Sequence, residues 1–316
     1  MRALLVPPAT ASIPEALARS GSTLRVARSE RSVVATVTCL DDERPTIVLG
    51  SLQRAGRVLD RIDRVVRRST TGTGFTLRGG MIVTLALPWL DAIFGDTTPG
   101  TILNRNVRPI MKGLANAGVP VQYFGREWLA WKRRAIFVLG MDVEPDGAVL
   151  IEAFATAAGS LSIPREDASA LEASLDRYRG LAPASLREAG VEPTAELSIR
   201  VLEGMTERMG LMTQRLTTSS LPTDARRAPT VVEDPMSPLP RGATLLEPMS
   251  VPIGFLDVAV LASGPWVGGD ILAPRHLVGR NGPTADDESS PMEGALWRDV
   301  RRAHETASHQ GSCKPT

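Results

Sequence analysis

Lysine is nearly missing from this 316-residue chain. It occurs at Lys112, Lys132 and Lys314, and arginine supplies the rest of the 36 basic side chains. Chemistry that needs an amine therefore has few candidates. Cysteine is equally scarce: Cys39 and Cys313 lie far apart, which excludes a disulfide framework and any cysteine metal spacing. That usage fits a reduced, cytoplasmic setting. His276, His304 and His309 are scattered towards the C-terminus with no ordered set of partners, so no metal site is expected. No run of about 18 apolar residues occurs, which excludes a spanning helix. The opening MRALLVPP is broken by Pro7 and Pro8, too early for a secretory core. Charge of one sign is also lacking. The 36 basic and 35 acidic side chains leave a net charge of +1, with no general pull towards nucleic acid or an anionic membrane. What is present is apolar: 43% of the residues, enough for a sizeable core in one large domain or two ordinary ones.

Short apolar runs alternate with helical patterns up to about residue 160. Thr46-Ile47-Val48-Leu49 ending at Gly50, then Val65-Val66, then Met81 through Leu87 ahead of Pro88, read as strands. Residues 98–117 carry Ile102, Val107, Ile110, Met111 and Leu114 near one face. Pro109 makes that helix start late or kink. Residues 119–124 read as a short strand, and 128–142 as a strand or a tight hairpin interrupted by Lys132-Arg133-Arg134. A turn at 144–147 precedes a strand at 148–154. Helices follow at 166–179 and 194–209, the second with a Leu197, Val201, Leu202, Met205, Met209 stripe closed by Gly210. Residues 216–247 read as a flexible linker, 250–260 and 266–272 as a small strand pair, and the tail as polar with one short helix at 292–306. The organisation expected is a main domain over 1–215, a linker over 216–247, a strand pair within 248–275, and a mostly disordered tail over 276–316. The fold class is α+β.

The segment with chemical content is Arg67-Arg68-Ser69-Thr70-Thr71-Gly72-Thr73-Gly74-Phe75, set between two strands. Small residues let backbone N–H groups approach a phosphate or adenylate, and two arginines could neutralise it. The same segment also reads as an ordinary Gly/Thr hairpin loop with solvated arginines. It is neither a P-loop nor a dinucleotide fingerprint, because the following Gly-Lys-Ser/Thr and the G-x-G-x-x-G spacing are both lacking. Asp60 and Asp63 among Arg57, Arg61 and Arg64 read as an ion-paired helix face. Trp128 and Trp131 read as core or edge anchors, and Asp142 and Glu144 as solvated residues ahead of a turn.

The order of these pieces resembles the lipoate–protein ligase A family, within the wider biotin ligase and lipoyltransferase fold. Ile47-Val48-Leu49-Gly50 resembles the family's apolar strand ending in glycine. Residues Arg67 to Phe75 resemble its Arg-Arg-x-Ser/Thr-Gly-Gly-Gly-x-Val loop. Leu77-Arg78-Gly79-Gly80 stands where the family has His-Asp-x-Gly-Asn, and Gly125-Arg126-Glu127-Trp128-Leu129 resembles its Gly-Arg motif. Ala184 to Gly190, with the helix ending at Gly210, is similar to its closing segment. Gly269-Asp270-Ile271-Leu272 faintly resembles part of its accessory piece. The resemblance implies a mixed, mostly antiparallel sheet flanked by helices, with a small C-terminal appendage. It implies lipoate or octanoate as the acid, activation by ATP with Mg to an acyl-adenylate, and transfer to a lysine of a lipoyl-domain or carrier protein. Arg67, Arg68, Ser69, Gly72, Gly74, Phe75, Gly79 and Arg126 would line that site.

The chain departs from the family where the chemistry is. The glycine triplet is reduced to Thr71-Gly72-Thr73-Gly74. The family's Lys-x-x-Gly, matched on Gly140, puts Phe137 at the lysine position. Lys132 is the surrogate candidate, or Arg134, if the basic triplet reaches back. The other reading of that triplet is a solvated hairpin tip. Two functions stand side by side: a ligase acting on lipoate, octanoate or a related acid, and a catalytically dead relative that binds a ligand or partner. A third is an unrelated α+β binding protein.

Overall fold

The computed structural model describes residues 1–53, 64–98, 101–123, 127–159, 161, 182–217, 242–246, 249–251, 254–261 and 264–269. The expected helix at 166–179, the 57–64 charge cluster apart from Arg64, Arg126, the greater part of the linker and everything after residue 269 lie outside them.

The chain enters through strands β1 (Arg2–Leu5) and β2 (Ala9–Ala11) and helix α1 (Ile13–Glu30). Ser12 donates its backbone N–H and its hydroxyl to the Glu15 carboxylate at the start of α1, and Arg31 ends the helix in a left-handed conformation with φ 47°. Next come β3 (Val33–Leu40), β4 (Thr46–Leu49), β5 (Val65–Arg67), β6 (Phe75–Leu77), β7 (Gly80–Leu87) and α2 (Ile102–Asn116). The helix expected from residue 98 starts at 102, after a turn in which the Thr98 N–H donates to Thr101 Oγ1 at 2.8 Å. Pro109 is accommodated inside it. Then follow β8 (Gln122–Tyr123), β9 (Trp128–Trp131), β10 (Arg134–Val143), β11 (Val149–Ala155), α3 (Ala195–Met209) and β12 (Met212–Arg215).

The main sheet runs β12-β1-β3-β7-β11-β10-β9-β8, with β2 beside β3. The pairs β1–β12, β1–β3 and β2–β3 are parallel, and the ladder from β3 to β8 is antiparallel. This is the mixed, mostly antiparallel α+β sheet. Every residue of β3, β7 and β11 is buried, because helices cover both faces. Val37, Val83, Leu85, Ile151, Phe137, Leu139 and Met141 face α2 and α3 in one apolar cluster with Val107, Ile110, Val201 and Met205. The other face packs on α1 and on a three-stranded sheet, β5-β4-β6. Each fully buried side chain of this size contributes about 1.5–3 kcal/mol.

The expected linker holds structure at its end: β13 (Thr244–Leu245) pairs with β15 (Gly254–Leu261). With β14 (Met249–Val251) and β16 (Gly264–Gly269) they form a four-stranded antiparallel sheet where a strand pair was expected. It meets the main body at Leu52, whose carbonyl accepts from the Gly269 N–H at 3.0 Å.

Helices α2 and α3 meet glycine to glycine. A Cβ on Gly113 would lie 2.4 Å from the Val201 carbonyl oxygen, and one on Gly204 would lie 2.8 Å from Gly113 Cα. Gly113→Ala gains about 1 kcal/mol of helix propensity but forces backbone apart, at about 1–3 kcal/mol. The steric term wins because backbone cannot rotate away. The variant should unfold at a lower temperature than the wild type in a thermal melt. An unchanged midpoint would show that the helices separate without cost.

Candidate functional site

Strand β4 ends at Gly50 and turns through Gln53, whose N–H donates to the Gly50 carbonyl at 3.1 Å. Beside this turn, residues 68–74 connect β5 to β6 and cross over β10. There the Thr71 N–H and hydroxyl both donate to the Met141 carbonyl, each at 2.8 Å. Two bare positions make the crossing possible. A Cβ on Gly140 would meet Thr70 Oγ1 at 2.3 Å, and one on Gly50 would meet the Gly72 carbonyl oxygen at 2.1 Å. Gly72 also holds a φ of 110°, open only to glycine.

Both arginines of the loop bind their own backbone. Arg68 is 1% exposed. Its guanidinium donates to the carbonyls of Thr70 (3.3 Å), Thr71 (3.0 Å) and Thr73 (3.1 Å). It also lies 5.0 Å from the ring of Phe75 and 5.2 Å from that of Phe154. Arg67 Nη1 donates to the carbonyls of Gly50 (3.0 Å), Ser51 (3.4 Å) and Gln53 (2.5 Å). The reading of solvated arginines is corrected for Arg68: burial leaves its guanidinium to satisfy carbonyls that water cannot reach, while Arg67 is half-buried.

Beneath the loop lies Glu152, on β11 in register with Gly140 and Thr84. It is fully buried, and its Oε2 accepts from Thr70 Oγ1 at 2.5 Å. Burial pushes its pKa above the ordinary glutamate value, and the Thr70 hydroxyl, the Arg68 charge and the Ser20 hydroxyl pull the other way. Sequence reading passed over this residue. The signal was a single acid inside Val149-Leu150-Ile151-Glu152-Ala153-Phe154, where a solvated side chain has no place.

The residues expected to line a site divide. Arg67, Arg68, Gly72, Gly74 and Phe75 come together, with Phe75 packed on Phe154 at 4.9 Å between ring centres. Ser69 is exposed on the same loop. Gly79 sits in the β6–β7 turn with φ 58°, donating to the Asp42 carbonyl at 2.5 Å. Lys132 and Arg133 form the β9–β10 turn with φ 48° and 66°, and Lys132 Nζ lies 4.4 Å from the centre of the Trp131 ring. Six steps of β10 separate Arg134 from Gly140, roughly 20 Å at about 3.3 Å each, and Lys132 lies beyond them in the turn. Arg134 is also engaged elsewhere, with the Ala182 carbonyl (2.8 Å), the Pro183 carbonyl (2.9 Å) and Glu188 (2.8 Å). The Ser185 N–H and then Arg134 hold Glu188 below its ordinary pKa. Phe137, matched to the family's lysine by the sequence resemblance, is fully buried against the α2 and α3 face, away from Gly140 and the loop. Asp142, expected in solvent, is buried, because it lies within β10, paired with Leu150 of β11, and not in the turn that follows.

What remains at the loop is a set of donors. Gln53 Nε2 and Ser51 Oγ are buried without a hydrogen-bond partner, and the Gln53 amide packs on the bare Cα of Gly74. Among the described residues, the buried N–H groups of Gly72 and Gly74 donate to no partner either. Such a set suits a small acceptor such as a carboxylate.

No protein-family model matches the chain, and no curated protein matches it. Solved structures do. P. falciparum LipL1 in complex with lipoate aligns with a TM-score of 0.59 at 12% identity, over 86% of this chain and 86% of that one. A bi-partite lipoate protein ligase with its E2 lipoyl domain from Thermoplasma acidophilum gives 0.52 at 14% identity, over 69% of this chain and 87% of that one. A lipoate-protein ligase A bound with ATP gives 0.50 at 13% identity, over 69% and 89%. The class of architecture is therefore the α+β fold of the acid-activating ligases. Within it, the chain has the lipoate–protein ligase fold.

Arg68→Lys keeps the charge but loses the planar fork, which leaves buried carbonyls without donors. It should cost about 2–4 kcal/mol, read as a lower midpoint in urea unfolding. A loss below about 1 kcal/mol would mean that the guanidinium does not hold the loop.

Proposed function

We propose that this protein binds a small carboxylic acid, of the lipoate or octanoate class, at the loop formed by residues 68–74, and does not adenylate it. The observation that carries this reading is the burial of Phe137, the residue that the sequence resemblance matches to the family's lysine, in the apolar cluster on the far face of β10 from the loop. Loss of a preorganised charge of that kind costs on the order of a hundredfold or more in rate. Among the described residues, three candidate cations support the same reading: Arg67 and Arg68 serve backbone carbonyls, and Lys132 sits at a distant turn. The acid-binding half rests on the donor set of Gly72, Gly74, Gln53 and Ser51. An encounter with a lipoyl domain, of the kind the T. acidophilum ligase is paired with, would be docking without acyl transfer.

Calorimetry with lipoate, octanoate, biotin and ATP, singly and paired, followed by a pyrophosphate-release assay, tests both halves. Binding of lipoate or octanoate with no pyrophosphate release is expected. ATP-dependent release would overturn the proposal in favour of an active ligase, and no acid binding would remove the ligand. Gln53→Glu, which keeps the acceptor for the Gly50 N–H but replaces the donor with a negative charge, should weaken acid binding at least about tenfold. Phe137→Lys should not create pyrophosphate release, because the new ammonium would point into the apolar α2 and α3 face. It should lower stability instead, by about 3 kcal/mol or more.

A further inference from the structure

A polar row crosses the main sheet beneath α1, between two apolar clusters. One cluster holds Ile13, Leu17, Val138 and Phe154, and the other Leu24, Val34, Ala86 and Leu150. Thr36, Thr84, Glu152 and Gly140 lie side by side on β3, β7, β11 and β10. Arg19 Nη2 reaches Thr36 Oγ1 at 3.4 Å, Ser20 Oγ and Thr84 Oγ1 are 2.9 Å apart, and Thr70 Oγ1 reaches Glu152 at 2.5 Å. The row has one carboxyl, and that carboxyl holds the loop. Thr70 can sit there because Gly140 has no side chain beneath it.

We propose that Glu152 is the positioning residue of the 68–74 loop, and that its proton sets how firmly the loop is seated on β10. The titratable polar contact from the loop to the sheet is the Thr70 hydroxyl on Glu152. The Thr71 contacts go to a backbone carbonyl and do not titrate. The groups facing Glu152 are the Arg68 guanidinium from the loop and the hydroxyls of Thr70, Ser20 from α1 and Thr84 from β7. Asp142 lies two residues beyond Gly140 on the same face of β10, and Arg19 lies at the Thr36 end of the row.

The sign follows from burial. With the loop seated the carboxyl is dry, and burial outweighs Thr70, Arg68 and Ser20 to hold its pKa above the ordinary glutamate value; water that enters as the loop lifts removes that burial. The seated form therefore binds the proton more tightly. Its advantage is complete at acid pH and is lost as pH rises through the seated-state pKa. Ionisation opens the loop and protonation closes it. This holds whether or not the loop binds an acid, so failure of the acid-binding proposal leaves it standing.

The test is deuterium exchange of the full chain, following peptides that span residues 66–75, 102–116 and 195–209 at pH 5, 7 and 9. Intrinsic exchange cancels when variant and wild type are compared at each pH. Relative to Glu152→Gln, which keeps an acceptor for Thr70 and cannot ionise, wild-type protection of 66–75 should fall at least about threefold between pH 5 and pH 9. The two helix peptides should not move. Thr70→Val should lose loop protection at every pH, and Thr70→Ser should restore both the protection and its pH dependence. The Thr70 pair decides the matter should Glu152→Gln fail to fold. A constant wild-type to Glu152→Gln ratio, or a change shared equally by all three peptides, overturns the proposal. So does Thr70→Val behaving like Thr70→Ser.

Discussion

The hydrogen bonds of the Arg68 guanidinium to three carbonyls of its own loop are the constraint on which this end of the molecule depends. A buried guanidinium is costly to desolvate, and it is tolerated here because its Nε and Nη2 donors are met and two aromatic faces flank it. Turning those carbonyls inward fixes where the loop's N–H groups point. It also fixes where the small sheet β5-β4-β6 meets the large one. Arg67 does the same for the turn at Gly50 to Gln53, so the two neighbouring arginines tie two adjacent chain reversals. A residue pair that in another setting would greet an anion has become interior scaffolding.

The glycines carry a parallel lesson. Gly50 and Gly140 are small because chain passes over chain: the Gly72 carbonyl above one and Thr70 above the other. From sequence, a bare position that admits a phosphate and one that admits a neighbouring strand look the same. Only the three-dimensional neighbour separates them, and here the neighbour is the protein itself.

Much of the frame was legible because its signals are local. The β4, β7 and β11 runs are continuous apolar segments bounded by glycine and proline, and the α3 stripe has helical spacing, so their types followed from period alone. The β9–β10 hairpin was legible only as an alternative, because Lys132 and Arg133 adopt left-handed conformations that their residue types do not advertise. The first 45 residues gave no clear pattern, since β1 and β2 are short and α1 carries Ser20, Ser22 and Thr23 on its buried side. The loop could be picked out as a segment, but not the use to which its arginines are put. That use depends on β10 and β11, some seventy residues downstream, and no local pattern reports it.

Strand β1 lies between β3 and β12, with Arg2 opposite Met212 in parallel register. The inner edge of the sheet is thus closed by a segment made about two hundred residues after the strand it protects. At ribosomal rates of about 5–20 residues per second, β1 spends roughly ten to forty seconds with one flank unpaired. An unpaired strand flank is a template for any extended chain nearby. The nascent main body therefore keeps an adhesive flank until its last strand is made, well before the small four-stranded sheet follows.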